Sequence, residues 1–165
     1  MNPAKEFKEH CVELGIPVTL IKDGILDCVV AGKRVVIRDE RNSKYREKMG
    51  VPIEGKYALH LYPSDAIHIH LFEDQAFAFT SAFVTSELAW RKQYRTTVFK
   101  YGWNKFKGRT LIIPVSSLGI RDQEQLMFSH STGSTFGSAI RAFIDLKGKM
   151  HEGNSSKAGG IIEGK

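Results

Sequence analysis

Hydrophobic and polar residues alternate with period two along much of this chain, the pattern of strands that lay one face on a core. In "YALHLYPSDAIHIHLF" (57–72), Leu59 and Leu61, then Ile67, Ile69 and Leu71, hold alternate positions. The same alternation predicts strands in "IPVTLI", "GILDCVV", "KRVVIRDE", "QAFAFT", "TTVFKY" and "RTLIIPVSSL", the second and third joined as a hairpin through Ala31-Gly32. Helical spacing shows in Ala4, Phe7, Cys11 and Leu14, where Pro3 suits a first turn and Gly15 a stop. It shows again in Phe136, Ile140, Phe143 and Ile144, which predict a last helix near 136–146. "NSKYREKMG" and "TSELAWRKQYR" read as short helices, the second capped by Ser86. These elements predict an α+β fold: a mainly antiparallel β-sheet built from hairpins, with three to four helices. One globular domain is expected over 1–146, followed by a flexible, basic, Gly/Ser-rich tail over 147–165.

Composition narrows the class. A chain of 165 residues, 42% hydrophobic and 25% charged, can bury a core without disulfides or metal. Cys11 and Cys28 lack CxxC spacing, which argues against a disulfide scaffold or zinc ribbon and suits a reducing, cytoplasmic setting. "MNPAKEFKEH" is too charged for a signal peptide, and no apolar run reaches the roughly 18 residues of a membrane span.

The net charge of +6 points to a polyanionic partner, and its distribution sharpens that expectation. From Leu88 to Arg121 there is no acidic residue, while Arg91, Lys92, Arg95, Lys100, Lys105, Lys107, Arg109 and Arg121 all fall there. Trp90, Tyr94, Phe99, Tyr101, Trp103 and Phe106 are interleaved with them. Cations neutralise phosphates and aromatic faces stack on unpaired bases, so the stretch suits DNA, or RNA, in single-stranded or distorted form. The expected contacts are Arg91, Lys92, Arg95, Lys100, Tyr101, Trp103, Lys105, Lys107 and Arg109. A Gly/Ser/Thr run before the last helix, "SHSTGSTFGSAIRAF", lacks the Walker spelling and reads most simply as a helix cap.

Three of the six histidines lie in "YALHLYPSDAIHIHLF". A three-residue turn at Pro63-Ser64-Asp65 would pair Tyr62 with Ala66 and set His60 opposite His68. His70 would then lie one pleat further along the same face. Opposed Cβ atoms are about 5 Å apart and diagonal ones about 7–8 Å, near enough for His60, His68 and His70 to share a divalent cation. The alternative is three half-exposed histidines decorating a polar sheet face.

A His–hydrophobe–His strand with a third histidine on its neighbour resembles the HUH endonucleases, the rolling-circle replication initiators and relaxases. The resemblance covers residues 57–72. It implies Mg²⁺ or Mn²⁺ on His60, His68 and His70, polarising a phosphate that a helix-borne tyrosine attacks. Tyr94 follows the histidines in the matching order. Tyr45, in "YREK", matches the family's YxxK spelling but precedes them, as in relaxases. The implied function is a metal-dependent DNA endonuclease; the alternative is a non-catalytic DNA- or RNA-binding accessory or regulatory protein.

A second nuclease pattern competes. Asp27, then Asp39 with Arg41, and Glu9 or Glu13 from the first helix look faintly like PD-(D/E)xK, although Arg41 cannot serve as the motif's lysine base. Parity decides it. A two- or four-residue loop pairs Asp27 with Val36 and puts Asp39 on the opposite face, whereas an odd loop sets both acids on one face.

Overall fold

The computed structural model describes residues 3–21, 27–41, 48–52, 61–81, 83, 95–101, 106–114 and 127–163. In chain order the elements are α1 (Pro3–Glu13), β1 (Val18–Leu20), β2 (Asp27–Val30), β3 (Lys33–Asp39) and β4 (Lys48–Pro52). Then come β5 (Ile67–Leu71), β6 (Gln75–Thr80), β7 (Arg95–Tyr101), β8 (Phe106–Pro114), β9 (Met127–Ser131) and α2 (Thr135–Glu163). The fold is α+β.

Six strands form a sheet in the order β1-β2-β3-β5-β6-β9. It is mixed rather than purely antiparallel, because β3 and β5 run parallel with Val36 beside His68 and Arg38 beside His70. β5 also pairs antiparallel with β6, His68 opposite Phe79 and His70 opposite Phe77. Both edges of β5 are therefore occupied. The hairpin that would set His60 against His68 is not formed, and Leu61 and Tyr62 lie in a turn and bend instead of a strand.

The Ala31-Gly32 turn has two residues, both at positive φ (47° and 82°), the mirror-image geometry whose twist matches a hairpin's. It pairs Val30 with Lys33 and Asp27 with Val36. One face of the sheet presents Val35, Ile37, Ile67, Ile69, Leu71, Ala76 and Ala78 to both helices. α1 contributes Ala4, Phe7 and Cys11, and α2 contributes Phe136, Ala139, Ile140, Phe143 and Leu146. The Phe7 and Phe143 rings meet edge to face at 6.5 Å.

Several expectations change at element ends. Leu14 and Ile144 fall off their stripes and are 64% and 50% exposed. "KMG", expected to close a helix, is the start of β4. Two helices stand among the described residues where three to four were expected; 84–94, holding "TSELAWRKQYR" up to Tyr94, lies outside them. The helical backbone of α2 continues through 147–163, where composition predicts a tail, and Met150 still packs on the core four residues past Leu146.

A second sheet, in the order β4-β8-β7, is antiparallel throughout. No helix among the described residues is long and apolar enough to cross a membrane.

Candidate functional site

Two places concentrate chemistry, and the first is the sheet face turned away from the helices. Strand parity puts Val36 and Arg38 of β3, His68 and His70 of β5, and Phe77 and Phe79 of β6 on that face. It is covered rather than wet: His68, His70 and Phe79 are fully buried, and Phe77 and Phe83 nearly so. This corrects the expectation of half-exposed histidines: Tyr62 and Phe79 pack against the rings, and Arg38 and Ser81 bond to His68.

Burial forces each imidazole to find partners. Arg38 Nη1 donates to His68 Nδ1 at 2.8 Å, and because a guanidinium can only donate, that nitrogen carries no proton. His68 Nε2–H then donates to Ser81 Oγ at 2.7 Å. The ring stacks on Phe79 and meets Tyr62 edge-on at 5.7 Å. Burial, then the Arg38 charge, then His70 push the His68 pKa well below the ordinary imidazole value. His68 is thus a fixed, neutral tautomer.

His70 is held differently. Its Nδ1–H donates to Glu40 Oε1 at 3.2 Å, and its Nε2 is buried with no hydrogen-bond partner among the described residues. Burial lowers its pKa, with a contribution from Arg38, against the opposing pull of Glu40. A carboxylate behind an imidazole whose far nitrogen is bare is the outer-shell arrangement of metal-binding histidines. His68, by contrast, offers a cation no free nitrogen. Both His68 nitrogens are engaged, a guanidinium sits beside them, and no group of three or more His, Cys, Asp or Glu converges among the described residues. His60, Tyr45 and Tyr94 lie outside the described residues.

The acid hairpin does not assemble either. With Asp27 opposite Val36, parity places Asp27 on the histidine face and Asp39 on the helix-side face. Asp39 is bound by Arg41, which donates from Nε at 2.9 Å, from Nη2 at 2.7 Å and from its backbone N–H at 3.0 Å. Partial burial would raise the Asp39 pKa, but these bonds and the Arg41 charge outweigh it and hold the carboxyl below its usual range. Glu9 is exposed on α1.

The second place is the β7–β8 ribbon. β8 pairs with β4 over Thr110–Pro114, whereas Phe106–Arg109 pair with β7 and with no other strand among the described residues. Among the described residues the distal half is two-stranded. Its register sets Lys100 directly opposite Lys107 and Arg109 opposite Val98, so all three cations share one face. The other face holds Arg95, Phe99, Tyr101 and Phe106, with Tyr101 opposite Phe106 and Phe99 opposite Gly108. Nearer β4, Leu111 pairs with Val51, which is buried. Arg91, Lys92, Trp103 and Lys105 lie outside the described residues.

Sequence reasoning missed the partners Arg38, Glu40 and Ser81. A signal was present: Arg34, Arg38 and Glu40 share the parity of Val36 along "KRVVIRDE", so that face needed polar company from a neighbouring strand. Comparison with protein-family models, with curated proteins and with solved structures gives no match to this chain.

Proposed function

We propose that this chain is a nucleic-acid-binding protein, with DNA the first partner and RNA the second, and that the β7–β8 ribbon makes the contact. The observation that carries this is the directly opposed Lys100 and Lys107 with Arg109 on the same face. Like charges facing across a strand pair destabilise a sheet. A phosphate backbone reverses that penalty, because each neutralised phosphate releases counterions. The surrounding 34 residues, Leu88 to Arg121, supply no carboxylate to do so from within.

The proposal stops at binding. A strand-cleaving centre of HUH type would need His68 as a ligand, and His68 is committed to Arg38 and Ser81. The cluster serves better as a polar clamp that fixes β3, β5 and the end of β6 to one another.

Fluorescence anisotropy with labelled single-stranded and duplex DNA and RNA, at 50 to 300 mM salt, tests the proposal. Micromolar or tighter binding that weakens steeply with salt is expected. No binding to any of them at low salt would refute it.

A further inference from the structure

The outer face of α1 carries its charges against the helix dipole. Lys5 lies in the first turn, Lys8 and Glu9 at the middle, and Glu13 in the last turn, so cation and anion sit at the ends that repel them. Glu9 and Glu13 are also four apart, where like charges destabilise a helix. Lys8, Glu9 and Glu13 have no ion pair among the described residues to offset this. The same stripe, Lys5, Lys8, Glu9, Val12 and Glu13, lines a groove of about 470 Å³ together with Leu20 of β1. Val12, 58% exposed, and Leu20 give that groove an apolar middle. The strand beside it ends the sheet: β1 pairs with β2 on one side and with no strand among the described residues on the other.

We infer that a second copy of this chain covers this face. A two-fold axis normal to the sheet at the β1 edge runs β1 antiparallel to its counterpart and keeps both α1 helices on one side of the joined sheet. The two helices then lie antiparallel, and the basic end of each stripe meets the acidic end of the other. Lys8 of one protomer faces Glu9 of its partner, Lys5 faces Glu13, and Val12 and Leu20 of both copies fill the middle. The stripe is thus complementary to itself, which a partner of one charge sign would not be. An 11-residue helix, about 16 Å long, beside a 3-residue strand makes a small interface, so a weak, reversible dimer is expected. Each copy keeps its own β7–β8 ribbon, so the phosphates met per chain are the same in one copy and in two. The pairing therefore stands apart from nucleic-acid binding.

Analytical ultracentrifugation of the full chain between about 1 µM and 1 mM tests the pairing, and a concentration-dependent dimer is expected. Lys8→Glu and Glu9→Lys, each made singly, set like charges against each other across the axis and should weaken the dimer by about tenfold or more. Both positions lie on the outside of α1, so circular dichroism should show an unchanged fold. An equimolar mixture of the two variants should associate about as tightly as the unaltered chain, because each altered position then meets its opposite charge. A chain that stays monomeric throughout would overturn the inference. So would a dimer that both single variants leave intact, or a mixture that stays monomeric where the unaltered chain pairs.

Discussion

Replacing His68 by Gln should flatten the acid dependence of folding. In the native chain His68 is buried and neutral, its Nδ1 facing Arg38 at 2.8 Å and its Nε2 donating to Ser81. Protonating it would set two cationic donors against each other without water. Its folded pKa is therefore depressed, while the unfolded chain takes up a proton near pH 6.5. The unfolded state then binds more protons below that pH, so this contribution to stability is complete above about pH 6.5 and shrinks as the pH falls. Each histidine kept neutral in the fold costs about 1.4 kcal/mol per pH unit across that window. His70 acts with the same sign, moderated by Glu40. Urea unfolding followed by circular dichroism between pH 7.5 and 5.0 measures both chains, above the range where ordinary carboxylates titrate. His68→Gln should be the less stable at pH 7.5, and its deficit should narrow by about 1.4 kcal/mol per unit below pH 6.5. A deficit that stays constant with pH would refute the buried neutral tautomer.

The β2–β3 turn and the helix face give three further outcomes, all readable by denaturant unfolding. Ala31 sits at φ 47°, where a non-glycine residue is strained, so Ala31→Gly should stabilise the chain by about 1 kcal/mol. Phe143, 2% exposed and edge-on to Phe7, should cost about 3–5 kcal/mol when truncated to Ala. Ile144→Ala, one residue on but 50% exposed, should cost less than about 0.5 kcal/mol. Burial pushes the Cys11 thiol up to about 12, so a thiol reagent should label Cys11 at the rate of global unfolding, and faster labelling would contradict its place in the core.

Local features were legible in the sequence where one element decided them. The Ala31-Gly32 pair marked a hairpin, and the even-loop parity that separates Asp27 from Asp39 followed once its length was two. The helix stripes placed Ala4, Phe7, Cys11, Phe136, Ile140 and Phe143 in the core. What alternation does not encode is a strand's partner. Ile67, Ile69 and Leu71 face the core equally well in a local hairpin or beside β3, and β3, thirty residues away, holds that edge. With it, Arg38 and Glu40 become polar company of His68 and His70. Stripe margins were the other weakness: Leu14 follows the end of α1, and Ile144 lies at the edge of its helix face. In the basic segment, composition gave the charge, and the pairing of Lys100 with Lys107 needed the β7–β8 register.

The most direct test of nucleic-acid binding by the ribbon is the salt dependence of affinity when its cations are removed. Lys100, Lys107 and Arg109 lie together on one face, so changing all three to Gln should remove up to three phosphate contacts. The slope of log affinity against log salt should then become shallower by about 2 to 3, at about 0.7 to 0.9 per phosphate, with weaker binding at low salt. The same measurement on a chain with Lys5 and Lys8 of α1 changed to Gln controls for net charge alone and should leave the slope nearly unchanged. An unaltered slope and affinity in the ribbon variant, with its fold intact, would contradict the account.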